Sequence, residues 1–372
     1  MFFAEVILGF LAGLIGLLPF LHLNFLISFA GPFGVLFVSA FGFASIVFSF
    51  VPGVFFGIPS DASGIAVLPS QEMARKGEGL KALRLLVLSF FFGLIASVAL
   101  LPLFWFLLPI ISLAIKPFLG FVLLAVVLVF FLVNGVSFYA FFAFLLSGLL
   151  GLAVFNLPLL DSLFPLLAGL FGLPALLFSF DEKDGKPPVV KGGFLEVSLP
   201  LVLAGSLLGA FSVLLPALSP SFLASFAFLF LENSPESFLV LTGAIASSKA
   251  FFDLVSVFLL GKARSGFAAF FLGKQAGFID VASAGLFGAC AAVLAVLFFG
   301  NRLVFSFGEK FKKIIFLLVV LGVFFTSGAL GLTVLLAATL VGLVPLVYGI
   351  DRANCVGALI LPALLFAFGI SV

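Results

Sequence analysis

Two short stretches of an otherwise apolar chain carry the side chains that could do chemistry. LLPFLHLNFLISFA (17–30) sets His22 and Asn24 just after Pro19, and LLPALSPSFLASFA (214–227) sets Ser219 and Ser221 just after Pro216. These short donors and acceptors can cap an exposed helix end or donate to a carboxylate. A second polar cluster follows each stretch. In GIPSDASGIAVLPS (57–70) two prolines frame Ser60, Asp61 and Ser63; in GAIASSKAFFD (243–253) Ser247 and Ser248 precede Lys249, and Asp253 follows one helical turn later. At that spacing Lys249 and Asp253 share a helix face and can pair.

The elements that position these groups follow from composition. The 372 residues are 64% hydrophobic and 9% charged, with a mean hydropathy of +1.46, whereas soluble domains are about a quarter charged. The chain therefore reads as an integral membrane protein. No Asp, Glu, Lys or Arg occurs between Glu5 and Asp61, Lys116 and Asp161, Glu196 and Glu232, or Lys313 and Asp351. Because a pass takes roughly 20 apolar residues, these gaps predict about 10 to 12 membrane segments, some of them proline-broken or re-entrant. Runs such as FVLLAVVLVFFLVNGVSFYAFFAFLLSGLLGLAVF are apolar on every face, unlike the alternating strands of a membrane barrel. The expected fold is all-α and polytopic.

MFFAEVILGFLAGLIGLL lacks a basic n-region and carries Glu5, so it reads as a first membrane helix rather than a removable signal. With His22 the only histidine and Cys290 and Cys355 both in apolar runs, neither a metal cluster nor a disulfide framework is expected. A net charge of +2 with the basic residues confined to loops gives no reason to invoke nucleic acid. Trp105, Tyr139 and Tyr348 are candidate interfacial anchors.

Polar loops punctuate the chain at 69–84, 181–193, 261–275 and 300–313, and their basic residues read as topology signals. The loop DEKDGKPPVVKGG lies close to the middle, which predicts a first membrane repeat over 1–180, a linker over 181–196 and a second repeat over 197–372. The two opening stretches support that division. With Pro19 on Pro216, both flanking leucines, Leu21/Leu218, Phe25/Phe222, Leu26/Leu223, Ser28/Ser225, Phe29/Phe226 and Ala30/Ala227 are identical. Two related halves, expected as inverted repeats, account for this.

A proline inside a membrane helix removes a donor and pushes the preceding residue out of the helical region. Such breaks survive only where they are buried in protein or line a wet cavity. Transporters with duplicated halves use paired breaks near the midplane to hold anions and cations. Ionisable groups at membrane depth point the same way: Asp61 and Asp253 are candidates for coupling to a cation, and Lys249 for meeting an anion. The plain structural alternatives are backbone caps after the prolines and a charge pair or snorkelling lysine.

Several stretches resemble the large membrane subunit of tripartite tricarboxylate transporters, the TctA family. IPSDASGIAVLPSQEMARKGEGLKALRL (58–85) is similar to the family's Ile-Pro segment, whose Met-Ala-basic-basic-Gly run leads into a new helix. GLIGLLPFLHLN (13–24), LLAGLFGLPALL (166–177), LLGKARSGFAAF (259–270) and LVGLVPLVYGIDRANCVGALILPALL (340–365) extend the likeness. It resembles the archaeal branch, whose first proline loop carries His and Asn. Phe20, Ala217 and Ser60 stand where the family has glycine. The resemblance implies a secondary transporter of carboxylates driven by a cation gradient, with a small membrane subunit and an extracytoplasmic binding protein as partners.

The expected function is thus symport of small di- or tricarboxylates across a prokaryotic plasma membrane. Pro19, His22, Asn24, Ser60, Ser63, Pro216, Ser219, Ser221, Ser247, Ser248 and Lys249 are the expected substrate residues, and Na+ or H+ the coupling ion. No cofactor is expected, and a homodimer is compatible with the sequence. A flippase for a lipid-linked anion is the alternative. An intramembrane protease would need a Ser/His pair, a metal or paired aspartates, and Asp61 with Asp253 is the one pairing the sequence offers for it.

Overall fold

The structure, a computed structural model, describes residues 2–18, 27, 31–56, 67–133, 137–179, 197–215, 218, 220–228, 234–303, 309–350 and 352–370. Among these the regular elements are all helical, and six stretches are long and apolar enough to cross a membrane, with four shorter apolar helices beside them. The protein is an all-α polytopic membrane protein. It divides into two compact units, Met1–Ser112 with Lys186–Leu214 and Ser219–Phe305, and Leu113–Gly185 with Leu215–Leu218 and Ser306–Val372.

In the first unit, α1 (Phe2–Gly13) lies on α2 (Val35–Phe56), and α9 (Leu199–Ser212) lies on α11 (Pro235–Leu260). Lipid tails are as apolar as the helices, so close backbone approach at small residues holds such pairs together. A methyl added at Gly13 would come to 2.5 Å from the Ala44 Cβ, one at Gly205 to 2.8 Å from the Ala244 Cβ, and one at Gly209 to 2.6 Å from the Ser248 Cβ. Each seam is therefore closed to anything larger than glycine without movement.

Helix α11 is delimited by local chemistry. The Ser234 hydroxyl accepts from the Ser237 N–H at 3.1 Å, Pro235 opens the first turn, and Gly261 at φ 63° takes the left-handed conformation that ends it. Of its strongest apolar window 94% is buried. It also packs on α4 (Gly79–Ile115): Gly243 meets the Leu86 carbonyl, and Gly93 meets Ser247 and Ala244. Reciprocally, α2 packs on α13 (Phe278–Leu303), where Gly285 meets Phe43 and Gly288 meets Ala40, and the Ser39 hydroxyl donates to the Val281 carbonyl at 2.6 Å. Short helices α3 (Val67–Arg75), α10 (Pro220–Phe228) and α12 (Gly266–Ala269) also belong to this unit. At 37 residues, α4 runs about 55 Å, well beyond the roughly 30 Å of hydrocarbon.

The second unit holds α5 (Leu119–Val133), α6 (Phe138–Phe155), α7 (Leu163–Leu167), α8 (Leu173–Ser179), α14 (Glu309–Tyr348) and α15 (Gly357–Ala367). Its core joins Val154, Leu166, Leu170, Val334, Ala338, Cys355 and Ala358. Glycine seams recur here, with Gly357 against the Phe144 carbonyl and Gly148 against Leu361. Helix α14 is interrupted at Gly328 (φ 64°, ψ −161°), where the Ser327 hydroxyl donates to the Asp161 carbonyl at 2.8 Å. The Asp161 carboxylate in turn accepts from the Leu163 and Phe164 N–H groups and so caps α7. Tyr139 and Tyr348 stack at 4.0 Å with their rings 13° from parallel. Apolar side chains as large as Phe325, 79% exposed, and Phe366, 82% exposed, face outward, as a lipid-facing surface requires.

Candidate functional site

Of the residues singled out from the sequence, Pro19, His22, Asn24, Ser60, Asp61, Ser63, Pro216 and Ser219 lie outside the described residues. Ser221 falls in α10, the short helix after the second proline, and its side chain also lies outside the described set. The geometry available is that of the second half, around α11.

Lys249 and Asp253 pair as their spacing predicts. The ammonium Nζ donates to Asp253 at 3.3 Å from Oδ1 and 3.2 Å from Oδ2, and the side chains are 12% and 3% exposed. The one-turn offset on α11 brings them together. Both distances exceed the roughly 2.7–2.9 Å of a tight charge-assisted bond, so the lysine is loosely held.

Ser247 and Ser248 are buried, and their hydroxyl protons are committed to packing. Ser247 donates to the Ala244 carbonyl one turn back at 3.0 Å, and Ser248 crosses to the Ser206 carbonyl of α9 at 2.5 Å. Ser206 donates to Val202 at 2.8 Å and lies 3.4 Å from the Gly93 carbonyl of α4. This ladder fixes α11 between α9 and α4 and thereby sets the level of Lys249.

Arg264 is the residue that sequence reasoning missed. Its Nε donates to the Val213 carbonyl at 2.8 Å, and Nη2 lies 3.4 Å from the Leu214 carbonyl. The reason is local. Helix α9 ends at Ser212, four residues before Pro216, and the last carbonyls of a helix have no intrahelical donor, while proline offers no N–H to supply one. A cation at that end also meets the negative pole of the helix. Burial pulls the Arg264 guanidinium below its ordinary value, and the negative charge of Asp253 opposes that pull. An unsatisfied helix end before Pro216 was the available signal; the loop GKARSGF reads as a topology signal until the carbonyls it serves are seen. Ser265 next to it accepts from the Ala268 N–H at 3.2 Å and starts α12.

On the surface of the same unit, Lys81 of α4 pairs with Glu236 of α11 at 3.0 Å, and Lys76 pairs with Glu72. A hydrogen bond from the exposed Lys76 to the Glu72 carboxylate, together with its charge, raises the lysine above its ordinary value.

Apolar spans, glycine-sealed helix pairs and a charge cluster buried beside a helix end define a multi-pass integral membrane protein, consistent with the plasma membrane of a prokaryote. The chain belongs to the tripartite tricarboxylate transporter TctA family, which matches residues 1–357. That is a transporter family, whose members serve systems that also contain a small membrane subunit and a binding protein. The chain is also similar to "Uncharacterized protein MJ1079" of Methanocaldococcus jannaschii, with 26% identity over 396 aligned positions that cover 97% of this chain and 98% of that one. No solved structure matches it.

Proposed function

We propose that the protein is a cation-coupled secondary transporter of small di- or tricarboxylates, with its substrate held at the two proline breaks. Membership of the TctA family carries this reading, and the buried Lys249–Asp253 pair beside the end of α9 supports it. His22, Asn24, Ser60 and Ser63 in the first half and Ser219 and Ser221 in the second supply neutral donors at the breaks following Pro19 and Pro216. Lys249 supplies positive charge, and Ser247 and Ser248 hold it at depth. Asp61 and Asp253 are the carboxylates through which Na+ or H+ couples. The small membrane subunit and the extracytoplasmic binding protein are the partners this reading assigns.

We further take residues 1–180 and 197–372 as inverted repeats about the 181–196 linker. The reciprocal packing of α2 on α13 and of α11 on α4 supports a two-fold relation, because such a relation pairs each element with its partner's counterpart.

Uptake of labelled citrate and succinate into proteoliposomes, with an inward sodium gradient, a proton gradient or neither, tests the reading. Gradient-dependent accumulation that Lys249→Gln abolishes is the expected outcome. Absence of uptake both by the chain alone and with its two partner subunits would overturn it and bring forward transfer of a lipid-linked anion.

A further inference from the structure

Lys249, Asp253 and Arg264 do not balance. One carboxylate stands against two cations, and Arg264, which stays protonated, directs its two recorded hydrogen bonds to the neutral carbonyls of Val213 and Leu214 rather than to a carboxylate. The Asp253 side chain is 3% exposed, that of Lys249 is 12% exposed, and Arg264 is half-buried. In the register where Gly205 meets Ala244 and Gly209 meets Ser248 and Lys249, Val213, whose carbonyl Arg264 engages, falls one turn further along, at the level of Asp253. Glu72, Glu78 and Glu236 lie by the opposite end of α11 and are engaged with Lys76 and Lys81. A single excess positive charge in low-dielectric surroundings is costly unless an anion meets it.

We propose that Lys249, Asp253 and Arg264 form one anion-receiving subsite, in which Asp253 offsets one cation and the remaining positive charge takes one carboxylate group of the substrate. The proposal deepens the carboxylate reading above and rests on it. Each residue has a distinct part. Arg264, fixed by the end of α9, is preorganised and contributes charge without having to be ordered on binding. Lys249, held loosely at 3.2–3.3 Å, is the group free to turn towards the ligand. Asp253 keeps the empty subsite from carrying two uncompensated charges, and so sets how strongly it attracts an anion.

The consequence is a charge rule that a merely structural role would not produce. Counting formal charges, the cluster is +1 in the natural chain, 0 in Arg264→Gln or Lys249→Gln, and +1 again when either change is combined with Asp253→Asn. The test is calorimetric binding of citrate, succinate and acetate to the purified natural chain and to these four variants. Each single cation loss is expected to weaken citrate or succinate by about ten- to a hundredfold, the scale of one lost charged hydrogen-bond partner. Adding Asp253→Asn is expected to recover most of that loss in both backgrounds. Arg264→Gln also strips α9 of donors; Lys249→Gln touches no helix end, so the second rescue stands independently if the first variant does not fold.

Unchanged affinity in both single variants, or losses that add when Asp253→Asn is combined with either, overturns the subsite while leaving the carboxylate reading intact. A natural chain that binds none of the three acids overturns both.

Discussion

The α1/α2 pair and the α9/α11 pair are built on one plan and filled differently. In each, a short helix lays a Gly-x-x-x-Gly stripe, Gly9/Gly13 or Gly205/Gly209, against a long helix. Gly13 meets Ala44 and Ser45 at the level where Gly209 meets Ser248 and Lys249. By that packing register Ser45 corresponds to Lys249, and one turn on Ser49 corresponds to Asp253. Where the second pair buries an ion pair, the first has a serine whose hydroxyl donates to its own helix at Ile46, 2.7 Å away. The sequence carries the asymmetry onward. With Ser63-Gly64-Ile65-Ala66 set on Ser265-Gly266-Phe267-Ala268, the first half reads Asp61-Ala62 where the second reads Ala263-Arg264. A glycine seam depends only on close approach and tolerates either filling, so two seams of one plan can carry a buried ion pair in one and serines in the other.

The largest way to break this comparison is to remove the lysine. Lys249→Ala leaves Asp253 buried without its partner and should cost about 3–5 kcal/mol, whereas Ser45→Ala at the corresponding place should cost about 1 kcal/mol or less. Chemical denaturation of the two variants in one detergent would read the difference, and equal losses would dissolve the distinction. Next come the seams themselves: Gly209→Ala and Gly13→Ala should each lose about 1–3 kcal/mol through overpacking, with similar values if the two frames are equivalent. Ser248→Ala converts the second seam to the alanine that the first carries at Ala44. It should cost about 0.6–1 kcal/mol, read as a small drop in melting temperature. Glu236→Gln, at a pair whose side chains are 28% and 39% exposed, should change stability by about 1 kcal/mol or less, and that change should shrink as salt is added.

Much of the frame was legible because apolar composition and run length are local properties. The membrane class, the helical fold and the Lys249–Asp253 pairing follow from residue type and a period of 3.6. Neither the run length of α4, continuous past Pro102 and Pro109, nor the interruption of α14 at Gly328 could be read this way. Proline and glycine permit a break in a helix, but neighbouring elements decide whether one occurs. In the sequence the serines of α11 stand as candidate ligands because a hydroxyl's partner cannot be seen there; with α9 and α4 beside them their protons are committed.

Composition, charge spacing and the repeated proline octet by themselves determined a polytopic helical membrane protein with two related stretches, since transfer of a side chain into hydrocarbon depends on the side chain alone. Tertiary structure alone decided that α2 packs on α13 and α11 on α4, and that Arg264 reaches the end of α9 from 50 residues away. Both depend on which backbone groups remain without a partner once the helices are packed, and that is settled only when the chain has folded.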